Sequence, residues 1–224
     1  MDSLSPQLAL LHLTDSALPI GTAAHSFGLE TLVAEGALAV GDLAGFLADY
    51  IAEIGGVEGG GCRAAHALGA DAGPGWQDGW RSLNDRFDAM KPARESRAAS
   101  AVLGRRLLAI VAQLVPSPVL AAAQGDAHHA AAFGLIGGAL GVAADLTVAA
   151  YLQQLVAGLV SACQRLLPLG QSQAQHLIWN CRPAVIAAAA ASAGRDWTVA
   201  ACCVPAVELA SLRHPLLATR LFIS

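Results

Sequence analysis

The stretch DLTVAAYLQQLVAGLVSACQRLL, Asp145–Leu167, decides the fold class. From Leu146 to Gln164 it carries no charge, which is about the length of a bilayer span. Yet Gln153, Gln154 and Gln164 lie within it, and Asp145 and Arg165 bracket it. Side-chain amides so placed are costly in lipid unless paired. No cluster of Lys or Arg flanks the stretch to set an orientation. It reads as a long helix of a soluble protein, with the excess apolar surface covered by protein.

The same helical reading extends in both directions. Upstream lies a Gly/Ala-rich helix, His128–Leu140, and downstream another helix, Pro183–Ser192. Small residues let helix axes approach closely, so this half should pack tightly. Leu8, Leu10, Leu11 and Leu13 make a short first helix, which ends before Asp15–Gly21, where Pro19 and Gly21 break the pattern. A second helix is expected from His25-Ser26 to Gly36, with Ser26 as N-cap. A third, capped by Asp42, carries Leu43, Phe46, Leu47, Tyr50, Ile51 and Ile54 at helical spacing. Gly55-Gly56 and Gly59-Gly60-Gly61 predict a bend or loop. Asp71–Gly75 reads as a turn and Trp76–Met90 as a helix. The next helix, with Pro92 in its first turn, runs to Val115 and stops before Pro116. Strand alternation is nearly absent. The expected fold is all-α: a single helical bundle of about eight to ten helices. Residues 1–203 form its body and 204–224 a C-terminal tail of the same domain.

Composition narrows the function. Of 224 residues, 55% are hydrophobic and only 13% charged, where a soluble domain carries roughly 25% charge. Mean hydropathy is +0.51. Such a chain buries extra surface, meets a membrane, or presents large partner interfaces. A net charge of −4 argues against a nucleic-acid binder. The opening Met1-Asp2-Ser3-Leu4 lacks the basic start of a signal peptide, so a cytoplasmic location is expected. Cys62, Cys163, Cys181, Cys202 and Cys203 form no CxxC pair and sit in apolar surroundings, against a disulfide framework or a zinc site.

A search for chemistry finds little. There is no GxxxxGK[ST] phosphate loop, no GxSxG elbow and no HExxH helix. His128 and His129 are adjacent and point about 100° apart on a helix, so they read as partly exposed imidazoles at a helix start. Cys202-Cys203 reads as buried packing. Arg94, Arg97, Arg105 and Arg106 share a helix with Glu95 and read as a solvated face or a surface for an acidic partner. Pro19 and Gly21 shape a turn whose role is structural or contact-making. No cofactor or metal site is expected. A binding module is favoured over an enzyme with an unrecognised active site and over a peripheral membrane helical protein.

Three stretches together resemble the UreF family of urease accessory proteins. Leu10–Gly21 and then His25-Ser26-Phe27-Gly28-Leu29-Glu30 are similar to the family's leucine-rich opening, its D-s-x-x-P-x-G turn and its H/Y-S-x-G-L-E helix start. Val160-Ser161-Ala162 with Arg165–Gln171 resembles V-S-A…R-L-x-P-L-G-Q. Pro205, Glu208, Ala210-Ser211, His214, Arg220-Leu221-Phe222 and Ser224 resemble the family's tail. Arg94–Ser100, Gly104 and Gly134…Gly141 fit its middle. Pro215 and Leu217 depart from the usual Glu and Gln, and Thr22-Ala23-Ala24 replaces a second Gly after the turn.

The resemblance implies a non-catalytic, dimerising all-α scaffold. It implies a complex with a UreD/UreH-type accessory protein and a UreG-type GTPase, acting on apo-urease to support nickel insertion. It also implies partner-binding roles for His25, Ser26, Glu30, Arg165, Arg220 and Phe222. The tail, with its apolar end, is expected to be mobile until it docks on the UreD-type partner, with Arg220 and Phe222 as anchors.

Overall fold

The computed structural model describes residues 4–194, 196, 197, 199 and 204–224, and every regular element among them is helical. Cys202 and Cys203 lie outside the described residues. The centre of the molecule is α8 (His129–Ala139), in which His129 through Gly138 are all buried. A helix that is apolar all round must be surrounded, and three others surround this one. They are α4 (Gly60–Ala70), α6 (Arg94–Leu114) and α9 (Ala144–Leu166).

The closest approach is between α4 and α8. A Cβ on Gly134 would stand 2.0 Å from the Cys62 carbonyl oxygen, and one on Gly138 would stand 2.1 Å from that of His66. From the other helix, a Cβ on Gly69 would stand 2.1 Å from the Leu135 carbonyl oxygen. Glycine is therefore required on both sides of the crossing. The Gly/Ala richness of this region does what the sequence reading expected of it.

Helix α9 resolves the question posed by its sequence. It is long and apolar enough to cross a membrane by length and composition, but half of its apolar window is buried inside the protein. Val148, Tyr151, Leu152, Val156, Leu159, Val160 and Cys163 form its buried stripe. Gln154 Nε2 donates to the Leu13 carbonyl at 3.2 Å, at the end of α1 (Ser5–Leu13).

Other expectations are corrected. The glycine run does not break the chain. Helix α3 (Leu43–Ile54) passes through a π-helical turn, Gly55–Gly59, directly into α4. The glycines leave room for neighbours: Cβ atoms on Gly55, Gly60 and Gly61 would meet Ala188, Trp197 and Phe87 at 2.4, 2.6 and 2.3 Å. The packing this permits outweighs their poor helix propensity. Asp42 does not cap α3. Its carboxylate accepts from the Ala39 amide at 3.0 Å and closes the preceding 3-10 turn. The second helix, α2, is shorter than expected: it starts later, at Leu29, and ends earlier, at Ala34.

The remaining elements complete the layer around this core. Helix α5 (Trp76–Met90) packs on α4, and α7 (Pro118–Ala122) closes the end of α6 and α8. Helices α10 (Gln171–Asn180) and α11 (Arg182–Ala191) pack against α9. Helix α12 (Pro205–Arg213) lies on α2 and α6.

Candidate functional site

The N-terminal turn positions the first part of the site. Asp15 Oδ1 accepts from the Ala17 amide at 2.8 Å. Gly21 sits at φ 95°, a left-handed conformation that glycine tolerates best. Arg106 donates to the Ile20 carbonyl at 3.1 Å and packs against Gly21. Arg106 is thus bound to the turn and does not belong to a freely solvated face. Beyond the turn the backbone is extended at His25 and runs alongside the chain's last residues.

The C-terminus is clasped there. The Ser26 and Phe27 amides donate to the Ser224 carbonyl at 2.5 and 3.2 Å, and the Ile223 amide donates to Ala24 at 2.9 Å. Ser26 Oγ donates to the Ser224 carbonyl at 2.9 Å, and His25 Nδ1 lies 2.8 Å from Ser224 Oγ. Ser26 Oγ also meets the Glu30 amide at 3.4 Å, a weak remnant of the expected cap. Glu30, buried at 5% exposure, accepts from the Leu221 and Phe222 amides at 2.6 and 3.2 Å. Its Oε2 also lies 2.9 Å from His214 Nε2. Glu95 takes the other face, with Oε2 2.6 Å from His214 Nδ1 and Oε1 accepting from Arg220 at 3.1 Å. The Arg165 guanidinium lies 4.1 Å from the Phe222 ring centroid and donates to Ala23 at 2.7 Å.

All six residues expected to bind partners therefore converge on the tail. His25, Ser26, Glu30 and Phe222 are buried, while Arg220 and Arg165 lie at the edge. The tail is not a free segment, contrary to the sequence expectation. Sequence reasoning missed His214 and Glu95 as its internal ties. The signal was present only as separate polar residues far apart in the chain.

Charge at the clasp follows from these contacts. Burial pushes the Glu30 carboxyl up, but the Leu221 amide, His214 and the Phe222 amide together hold it below the usual carboxylate value. Burial, with Arg106 nearby, holds His25 below an ordinary histidine. Outward of the clasp the side chains alternate. Phe222 points in, whereas Leu221 and Ile223 are 62% and 68% exposed, and Leu216, earlier in the tail, is 82% exposed.

A second polar group lies deeper, where the π-helical turn aims Glu58 into the interior. Lys91 and the Tyr151 hydroxyl both donate to its carboxylate. Burial pushes Glu58 up, but Lys91 and Tyr151 bring it below the usual carboxylate value. Its charge raises the already buried Tyr151 phenol further. His128 and His129 are buried here, not partly exposed. His128 reaches Ser100 Oγ at 3.1 Å and Asp88 at 3.2 Å. Among the described residues no group of three His, Cys, Asp or Glu could hold a metal ion.

Comparison with known proteins decides the family. The UreF family model matches residues 39–182. A urease accessory protein UreF of Paenarthrobacter aurescens is 33% identical, over 99% of this chain and all of its own length. Those of an Arthrobacter species and of Paracoccus denitrificans are 33% and 32% identical, over 98% and 100% of this chain and 98% and 100% of their own lengths. The chain belongs to the UreF family of urease accessory proteins. In this UreF protein the clasp holds the tail in place while Leu216, Leu221 and Ile223 stay exposed. The family model ends before the tail, so the tail's arrangement is known from the contacts above and not from that match.

Proposed function

We propose that this UreF protein is a non-catalytic, cytoplasmic scaffold of urease maturation. It joins a UreD/UreH-type accessory protein and a UreG-type GTPase and supports nickel insertion into apo-urease. The tail is the docking element for the UreD-type protein. His25, Ser26, Glu30, Arg165 and Phe222 act by fixing the tail's shape, and Arg220 stands at its rim. Pro19 and Gly21 hold the turn that carries His25.

One observation supports this reading above the others. The chain ends in a pinned segment whose outward side chains, Leu216, Leu221 and Ile223, are large and exposed. A pinned apolar face loses little freedom on binding, so more of its burial energy reaches affinity. Each large side chain contributes about 1.5–3 kcal/mol when covered. The chain acts as a homodimer, since twofold contacts are the commonest solution for a self-associating protein.

Co-expression of the chain with UreD-type and UreG-type proteins tests the proposal. The expected result is a complex of all three that raises the activity of apo-urease with nickel. A chain that activates urease without binding either protein would reject it. Light scattering at micromolar concentration should give twice the chain mass.

A further inference from the structure

Beneath α12 lies a cavity of about 70 Å³, whose polar lining comes from several parts of the chain. Glu58 enters from the π-helical turn, Lys91 from the end of α5, His129 from α8, Tyr151 and Gln154 from α9, and Glu208 from the tail helix. Glu58, Lys91 and Tyr151 satisfy one another. Three other buried atoms have no protein partner among the described residues: His129 Nε2, Gln154 Oε1 and Glu208 Oε2. His129 as a whole is only 8% exposed.

Native interiors leave few buried polar atoms unpaired, because each forfeits its hydrogen bond to water. Three such atoms on residues lining one cavity mark it as a place for a hydrogen-bonding guest. The guest is not a metal ion: Lys91 already supplies the cation facing Glu58, and the described residues offer no metal-binding group. Gln154 Oε1 only accepts, so the guest must donate. The imidazole of His129 is kept neutral down to about pH 4 by burial, and a neutral ring nitrogen donates or accepts according to its tautomer. The site therefore favours a guest that both donates and accepts. One water needs roughly 10–15 Å³ of such space, so there is room for several.

We propose that this cavity is an internal hydration site, in which a cluster of ordered water molecules bridges Glu208 of the tail helix to His129 and Gln154 of the core helices. The bridge is a further tie between tail and body, distinct from the clasp at Ser224. It also has a path for exchange. Thr22, His25, Gln154 and Gly158 line both this cavity and a neighbouring groove that reaches Arg165 and Phe222. The cluster thus lies next to the clasp, and loosening the tail would open it to solvent.

A high-resolution crystal structure of the full chain tests the assignment. The expected result is solvent density at hydrogen-bond distance, about 2.7–3.2 Å, from at least two of the three atoms. A dry cavity, a direct protein partner on all three atoms, or a solute other than water there would overturn it. The His129→Phe variant supplies a second reading, because it removes both ring nitrogens, the unpaired Nε2 among them, and leaves an aromatic ring in place. A bridged nitrogen predicts loss of the adjacent solvent peak and a fall in Tm of about 2–4 °C. An unchanged or raised Tm would show that the nitrogen has no water to lose.

Discussion

Glu30 shows how one residue ties distant sequence together. Its carboxylate accepts from two tail amides and meets His214, so it fixes the tail's path. Glu30→Ala leaves the buried Phe222 amide without its acceptor and should cost about 1–3 kcal/mol. Chemical denaturation checks the size, and faster hydrogen exchange at Leu221 and Phe222 checks the place. The histidines make a separate prediction about pH. Burial holds His25, His128 and His129 below the ordinary value of 6.5, His129 at about 4. The unfolded chain therefore takes up protons on these rings before the folded chain does. Their contribution is complete above pH 6.5 and declines as pH falls toward 4. For His129 alone the loss amounts to about 3 kcal/mol by pH 4. Urea midpoints measured from pH 7 to 4 should fall, and His129→Phe should flatten that fall.

At the scale of elements, the α4–α8 crossing is the most demanding contact. Gly134→Ala places a methyl group 2.0 Å from the Cys62 carbonyl oxygen, which is backbone and has little room to shift. Such overpacking costs about 1–3 kcal/mol or more, or roughly 2–4 °C of Tm per kcal/mol. Gly158→Ala on α9 is the control, because its Cβ would meet nothing within 4 Å. Thermal melts of the two variants should differ clearly. This contrast also shows what the sequence could and could not reveal. Helix existence was legible from spacing, as in α3, α5 and α9, and Gly/Ala content signalled tight packing around α8. The same signal misled at Gly55–Gly61, because a glycine's use depends on what approaches it from elsewhere. Ala188, Trp197 and Phe87 are distant in sequence and make that run a packed helix. Glu58 was invisible for the same reason, since its partners Lys91 and Tyr151 come from other helices.

For the whole molecule, the motifs that resembled the family marked the clasp residues but not their roles. His25, Ser26 and Glu30 lie far from Phe222 in sequence, and only folding shows that they hold the tail. The expectation that the tail is mobile until it docks changes accordingly. Deleting His214–Ser224 removes the buried side chains of His214, Phe222 and Ser224 and should lower Tm by several degrees. Loss of binding in that deletion would not separate docking from folding. The outward leucines do separate them. Leu216 and Leu221 are 82% and 62% exposed, so serine at both positions leaves the core intact. The most direct measurement is the affinity of the Leu216→Ser/Leu221→Ser variant for the UreD-type protein, taken together with its melting temperature. Docking through the tail predicts at least a tenfold loss of affinity (about 1.4 kcal/mol) with Tm unchanged. Wild-type affinity in that variant would contradict it.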